Sequence, residues 1–545
     1  MESERLNLPI GIQTFEKLRE GNCIYVDKTQ YFVSLIKRNG IYFLARPRRF
    51  GKSLTVSTLD ALFSGRKELF KGLYAEEFLN RPDFKAHPVI RLDMSQVTTD
   101  SGIDVIKQSI KQITLELADK LEVEVPRDLP GSDMFRNVIA NTYRKHKQKV
   151  VILIDEYDSP YVEFVNDPDM ANEVRNVLRN YYVQIKANDE YVRFVFITGI
   201  SKFARFGVFS VLNNTTDISL MPEYAEMCGY TEDEIRQYFP DYLDETAKKM
   251  EISTEELIER MRYYYNGFTF DYDAQTRLYN PFSTLEFFSK KRFLNFWIDT
   301  GRSKMISDYM KDKHLTIEQF RNFPVAEGFA QSPGDVDNTT PEGFLYQCGY
   351  LTLRKGTTNA LSLDYPNTEV LNSMSALLTK NIVTDNSYNF FQNILFDAII
   401  SKNAEKFVDI LNRLLSCIPY DDFAGSAKQA VELSGNKLTV QEWLYRSVII
   451  AFFRGCGIVT FAEVHTNQGR SDVLISHQGH IWAIELKVAG KKESPAKKAK
   501  EAYTQIMEKN YASQYPCAFC IGIAIDDKKR KITNWVTEEV LEKIV

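Results

Sequence analysis

Gly40-Ile41-Tyr42-Phe43-Leu44-Ala45 is a short apolar strand, and it runs straight into Arg46-Pro47-Arg48-Arg49-Phe50-Gly51-Lys52-Ser53 and then into helix-forming LTVSTLDALF. Strand, loop and helix in this order, with the loop ending in Gly-Lys-Ser, fit a phosphate-cradling loop. Lys52 can reach the β- and γ-phosphates of a nucleotide, and the Ser53 hydroxyl can ligate Mg²⁺. The backbone N–H groups of Arg49, Phe50, Gly51, Lys52, Ser53 and Leu54 can hold phosphate oxygens. Arg46 stands where the pattern asks for its first glycine, and Pro47 fixes the next φ, so the loop must be entered differently. Three arginines in the loop add positive charge beside the phosphates.

A second motif belongs with the first. Val150-Val151-Ile152-Leu153-Ile154 is apolar throughout, as a strand covered on both faces must be, and it ends in Asp155-Glu156. Asp155 suits the holding of Mg²⁺, Glu156 the polarising of an attacking water, and Asp158 a supporting acid. A third apolar strand, Val192 to Thr198, ends in a residue that either senses the γ-phosphate or caps the next element. Arg205 is either an arginine finger in a homo-oligomer or an ordinary surface charge.

Strands at Gly40–Ala45, His87–Met94, Val150–Ile154 and Val192–Thr198, with a fifth beginning near Asp217–Leu220, alternate with helices such as Ile103–Leu121 and Ala171–Lys186. That alternation predicts an α/β fold built on a parallel sheet with flanking helices. Beyond Glu226 the strand signals fade. Thr231 with Glu234 and Ser253 with Glu256 open helices, which reads as a helical lid. The expected organisation is an ATPase core over 1–225, the lid over 226–300, a mixed connecting region over 301–430 and a further α/β domain over 431–545. A short strand pair at Tyr350–Leu353 and Ala360–Leu363 falls in the connecting region.

No apolar run reaches the roughly 18 residues of a membrane span, and the N-terminus is acidic and polar, so a cytoplasmic protein is expected. The net charge of −5 confines any nucleic-acid surface to a local patch. The seven cysteines are scattered, and Cys517 with Cys520 lies in an apolar run that reads as buried strand thiols rather than a zinc site.

Leu8–Glu20, Tyr25–Phe32, Ala45–Ser53, Leu153–Asp158, Ile197–Phe203, Tyr263–Asp271, Tyr279–Ser283 and Phe296–Gly301 resemble the motifs of the predicted AAA-type ATPase family of bacteria and archaea. The resemblance spans nearly all of the first 300 residues and implies ATP binding. The family shows a similar replacement of the first glycine, and its members often carry a C-terminal PD-(D/E)XK nuclease-like domain. Asp27 and Lys28 lie in one of the shared motifs without an evident chemical role.

The tail has the residues such a domain needs. Asp472 opens the apolar strand Asp472–Ser476, and Ile481–Lys487 places Glu485 and Lys487 two apart, on one face of a strand. Carboxylates at strand ends hold Mg²⁺, and a nearby lysine serves the water or the scissile phosphate. Glu442 on the preceding helix is a candidate third acid, and Gln505 on the following helix a candidate for orienting water or phosphate. The set resembles the D…ExK core of the PD-(D/E)XK superfamily over roughly residues 435–535, with Ser471 in place of the proline. Lys491, Lys492, Lys497, Lys498 and Lys500 form either a phosphate-backbone surface or a solvated helix face.

The leading expectation is an ATP- and Mg²⁺-dependent ATPase joined to a metal-dependent nuclease acting on nucleic acid, with DNA favoured by family analogy. The alternative is a signalling or scaffold ATPase whose tail only binds nucleic acid or a partner.

Overall fold

The apolar run Val150–Ile154 has no polar alternation, and it forms an inner strand buried along its whole length. In this computed structural model, residues 5–100, 102–164, 167–200, 214–297, 317–326, 329, 340–356, 360–382, 385–416, 440–466, 469–490, 492–508 and 518–538 are described. The strands β1 (Gly40–Ala45), β2 (Val89–Asp93), β3 (Val150–Asp155), β4 (Val192–Gly199) and β5 (Thr215–Asp217) make one sheet in the order β2-β3-β4-β1-β5. All four pairings are parallel. The fifth strand ends earlier than expected. The Asp217 side chain accepts a hydrogen bond from the Ser219 N–H at 2.9 Å, a local turn that competes with continued pairing.

The chain divides into two compact units, the first made of Met1–Trp297 with Asn322–Thr368 and the second of Ile298–Arg321 with Glu369–Val545. In the first, helices Ile103–Leu121, Gly131–His146 and Pro168–Ala187 cover the sheet, and the rings of Phe135 and Tyr181 stack with centroids 4.5 Å apart. Beyond the sheet the chain is helical, as expected. Thr231 and Glu234 form a reciprocal capping box, and Ser253 caps Thr254–Tyr265 by accepting from the Glu256 N–H. These helices enclose Ile235, Phe239, Leu257, Met261 and Phe287 together with Ile24 and Val26 from the N-terminal segment.

That packing explains Asp27 and Lys28. Asp27 accepts from the N–H and hydroxyl of Thr29 and from the N–H of Tyr74. The buried Lys28 ammonium donates to both carboxylate oxygens of Glu234, at 2.5 and 2.7 Å. The same glutamate therefore caps helix Glu232–Tyr238 and holds the N-terminal segment.

Strands β6 (Phe323–Pro324), β7 (Thr352–Lys355) and β8 (Leu361–Asp364) form a small antiparallel sheet in the first unit. Its link to the preceding motif is polar. The Thr269 hydroxyl donates to the Leu353 carbonyl at 2.8 Å, and the Thr269 N–H donates to the Thr352 hydroxyl at 3.0 Å.

The second unit is built on β9 (Val459–Thr466), β10 (Gly469–His477), β11 (His480–Ala489), β12 (Phe519–Asp526) and β13 (Lys531–Val536), in the order β13-β12-β11-β10-β9. Only β11 and β12 run parallel, and helix Pro495–Glu508 lies between them in sequence, as a parallel pairing requires. Ile484, Leu486, Ile521 and Ile523 face helices Asp385–Ile400, Ala404–Ser416 and Val440–Gly455, and the Trp482 indole donates to the Ile399 carbonyl at 3.1 Å. Leu474 and Ala483 face the other way, onto Ile506. Strand β13 has no counterpart in the sequence reading. A register shift at Ala524/Ile525 and the charges of Lys531 and Asn534's polar amide break its alternation. Cys520 sits half-buried in β12, where burial pushes its thiol up to about 11, while Cys517 lies outside the described residues.

Candidate functional site

The register brings the carboxyl ends of β1, β4 and β3 to one edge: Ala45 pairs with Gly199, and Ile154 with Ile197. Two neighbouring strand ends can approach closely only if nothing fills the gap. A Cβ on Gly199 would lie 2.4 Å from the Tyr157 ring and 2.6 Å from an Asp158 oxygen, so no larger residue fits there. Asp158 is buried and accepts from the Ile200 N–H at 3.2 and 3.3 Å, which ties the segment after β3 to the end of β4.

The loop after β1 is anchored by its side chains. Arg46 is 1% exposed and turns into the core. Its guanidinium donates to the carbonyls of Ala45, Ser219 and Tyr224 at 3.0, 2.5 and 3.1 Å and lies 4.2 Å over the Phe270 ring. Burial lowers its pKa to about 10. Arg46 is therefore not one of three charges beside the phosphates, because its guanidinium is turned into the core, with both terminal nitrogens on backbone carbonyls. Arg49, at φ 65°, stacks on Phe282 with 4.6 Å to the ring centroid. Phe50 is buried edge-on against Phe268 and Phe270, which leaves its backbone N–H, not its ring, for a phosphate. Gly349 backs the loop from far along the chain: a Cβ there would lie 2.5 Å from Pro47 Cβ.

Gly51 leads into helix Lys52–Phe63. Lys52 is 5% exposed, and its ammonium donates to the carbonyls of Arg46 and Pro47 at 3.1 and 3.0 Å. Burial lowers its pKa, against the pull of Glu156, Asp155 and Asp158, which all lie within electrostatic reach. Glu156 is raised by burial and by Asp155 and Asp158, against Lys52 and Arg48. It holds φ 48°, a left-handed conformation uncommon for such a residue and typical of functional sites. Thr198 Oγ1 donates to Asp155 Oδ1 at 2.5 Å, and the Glu156 N–H donates to the same oxygen at 3.1 Å. The structure thus gathers Lys52, Asp155, Glu156, Asp158 and Thr198 at one strand edge, with Ser53 and Leu54 half-buried in the first turn of the helix. Arg48, beside Glu156, was legible only as a loop charge. Ser201, Lys202 and Arg205 lie outside the described residues.

Among the described residues no three His, Cys, Asp or Glu side chains come together as a metal cage. Mg²⁺ does not need one, since it takes one or two carboxylates and fills its shell with water and substrate phosphate. Asp155, with Glu156 and Asp158 also within electrostatic reach of Lys52, offers carboxylate oxygen of that kind.

In the second unit, Glu485 is 1% exposed at the centre of the sheet. It accepts from the Gln505 amide, and Lys487 Nζ lies 3.5 Å from the same Oε1. Glu485, Lys487 and Gln505 are thus together. Val473 pairs with Ile484, so the next step of that register sets position 472 opposite 485. The Asp472 side chain lies outside the described residues. Glu442 is half-buried in the first turn of Val440–Gly455, a helix that packs on the Ile484 face, opposite to the face bearing Gln505. Of the lysines after β11, Lys498 is engaged by Glu493 at 3.0 Å and Glu501 at 3.5 Å, and Lys491 lies outside the described residues.

Residues 9–209 match the family described as predicted AAA-ATPase, and residues 440–535 match the PD-(D/E)XK nuclease superfamily. The chain is 30% identical over 547 residues to an Azotobacter chroococcum mcd 1 protein described as "Uncharacterized protein in vnfD 5'region", covering 98% of this chain and 99% of that protein. Among solved structures it is similar to the Aeropyrum pernix ORC1 protein in complex with DNA, at 12% identity and a TM-score of 0.25, covering 64% of this chain and 91% of that one. It is also similar to Cdc6p from Pyrobaculum aerophilum, at 13% identity and a TM-score of 0.23, covering 70% and 95%. No helix among the described residues is long and apolar enough to cross a membrane.

Proposed function

This chain belongs to the predicted AAA-ATPase family and carries a PD-(D/E)XK nuclease-superfamily domain, and from there we propose that it binds and hydrolyses ATP and cleaves phosphodiester bonds of nucleic acid at its C-terminal domain, DNA being the polymer first to test. We assign the ATPase core to 1–225, the lid to 226–300, the connecting region to 301–430 and the nuclease to 431–545.

One observation carries the ATPase reading. A buried ammonium, Lys52, faces three carboxyl groups at the end of parallel strands and donates to two carbonyls of its own loop. Phosphate oxygens are better partners for it than carbonyls, because the hydrogen bond then joins two charges. On ATP binding Lys52 exchanges the Arg46 and Pro47 carbonyls for β- and γ-phosphate oxygens. The backbone N–H groups from Arg49 to Leu54 take the remaining oxygens. Glu156 polarises the attacking water, and Thr198 keeps the Asp155 carboxylate in place.

At the second site Lys487 faces the scissile phosphate, and Gln505 orients the Glu485 carboxylate. Mg²⁺ would be held by Ser53 and Asp155 in the first site and by Asp472 and Glu485 in the second, and it would supply neutralisation of phosphate charge in both.

Phosphate release tests the first half. Glu156→Gln should slow it by about 10²–10⁴-fold with ATP still bound, and Lys52→Ala should lose ATP binding. Equal turnover in wild type and Glu156→Gln would remove the assignment. Cleavage of a DNA substrate with Mg²⁺ tests the second, and cleavage that survives Asp472→Ala would refute the site.

A further inference from the structure

The carboxyl end of the β11–β12 pair carries more positive charge than the site strand itself supplies. Lys487 pairs with Ala524 and Ala489 with Asp526, so the turn after β12 starts beside the end of β11. The Asp527 N–H donates to the Ala489 carbonyl at 3.2 Å, which fixes that adjacency. At about 3.3 Å per strand residue, the turn begins roughly 10 Å beyond Lys487. It presents Lys528, Lys529, Arg530 and Lys531, all exposed.

Four adjacent cations repel one another and tend to splay, yet this turn is braced. Asp526 accepts from the Lys529 N–H at 3.1 Å, and Arg530 takes a left-handed φ of 50°. On the other side of the stem, the Asn412 amide on helix Ala404–Ser416 holds Ile532 as a strand neighbour would. It donates to the Ile532 carbonyl at 3.1 Å and accepts from the Ile532 N–H at 2.7 Å. This bridge falls just past the register shift at Ala524/Ile525, where the ladder is weakest. The turn is thus a rigid basic projection. Within it Lys529 Nζ lies 3.7 Å from Asp526 Oδ2, a longer link than those that hold Lys498 of helix Pro495–Glu508 to Glu493 at 3.0 Å and Glu501 at 3.5 Å.

We propose that the Lys528–Lys531 turn is a phosphate-backbone grip, which seats a nucleic-acid strand so that its scissile group reaches Glu485 and Lys487. The proposal rests on the reading of the second unit as a nucleic-acid phosphodiesterase. Contacts of this kind carry no sequence information; they set register on the backbone. Their signature is the salt dependence of binding, which steepens by about 0.9 in log–log slope for each phosphate contacted.

The test uses the full chain with a fluorescently labelled DNA duplex and a chelator present, so that binding is read without cleavage. The triple variant Lys528→Gln/Lys529→Gln/Lys531→Gln should bind at least tenfold more weakly at low salt, with a salt slope shallower by about 0.9 per lost contact. A matched variant, Lys37→Gln/Lys67→Gln/Lys71→Gln, removes the same charge from exposed positions elsewhere and should keep the wild-type slope. An unchanged slope in the first variant, or an equal loss in both, overturns the grip. So does a wild type that binds no duplex. A wild type that binds in chelator but cleaves nothing with Mg²⁺ overturns the phosphodiesterase reading and leaves the grip standing.

Discussion

Thr198 and Asp155 sit on neighbouring parallel strands, and the threonine hydroxyl donates to the aspartate carboxylate at 2.5 Å in a fully buried setting. A hydrogen bond to a charged group in such a place is worth more than its surface equivalent, since the carboxylate has no water to fall back on. One oxygen of Asp155 is thereby occupied, and it also accepts the Glu156 N–H. Thr198 thereby orients the acid.

Thr198→Val should therefore act on the acid more than on the nucleotide. The variant keeps the β-branched shape and removes the donor, at a cost of about 1–3 kcal/mol for the exposed acceptor. Steady-state turnover should fall tenfold or more while ATP affinity changes by less than threefold. Equal losses in both would mean that the hydroxyl contacts the nucleotide instead.

The pKa of Glu156 is raised, mainly by burial. Its folded state favours the protonated carboxyl, so the stability that this form contributes is complete below about 4.3 and is lost as pH rises through the raised value. Glu156→Gln should thus melt higher than wild type at neutral pH without nucleotide, and the gain should shrink toward zero as the pH approaches 4. Thermal melts across that range measure it; a gain that grows on acidification contradicts the burial argument.

Lys28 and Glu234 form a mostly buried pair, with side chains 8% and 19% exposed. Removing one partner leaves the other charge stranded, so Lys28→Ala and Glu234→Ala should each cost about 3 kcal/mol. Denaturant unfolding of both single variants and the double should yield a coupling of about 1–3 kcal/mol. Strict additivity would show that the N-terminal segment and helix Glu232–Tyr238 are not joined through this contact.

Much of this architecture was written in local pattern. Unbroken apolar runs marked β3 and β4, and the Thr231–Glu234 spacing marked a helix start to the residue. The pairing of Glu485 with Lys487 on one strand face followed from a period of two. What escaped depends on distant contacts. The role of Arg46 is set by carbonyls at Ser219 and Tyr224, and that of Lys28 by Glu234, far along the chain. The edge strand β13 escaped because an edge needs only one apolar face, and its bulge scrambles even that. Glu442 was grouped with Glu485 by order along the chain, whereas its helix covers the opposite face of the sheet.

Pro47 seated against Gly349 bears on how the molecule can be dissected. A fragment trimmed soon after residue 209, where the first family match stops, would strip away the back wall of the loop together with the Thr269–Thr352 bonds. Limited proteolysis should accordingly release an N-terminal piece that still needs the stretch through Thr368 to stay folded, even if the backbone between is nicked. The first unit is a discontinuous module, and its boundary cannot be drawn with a single cut.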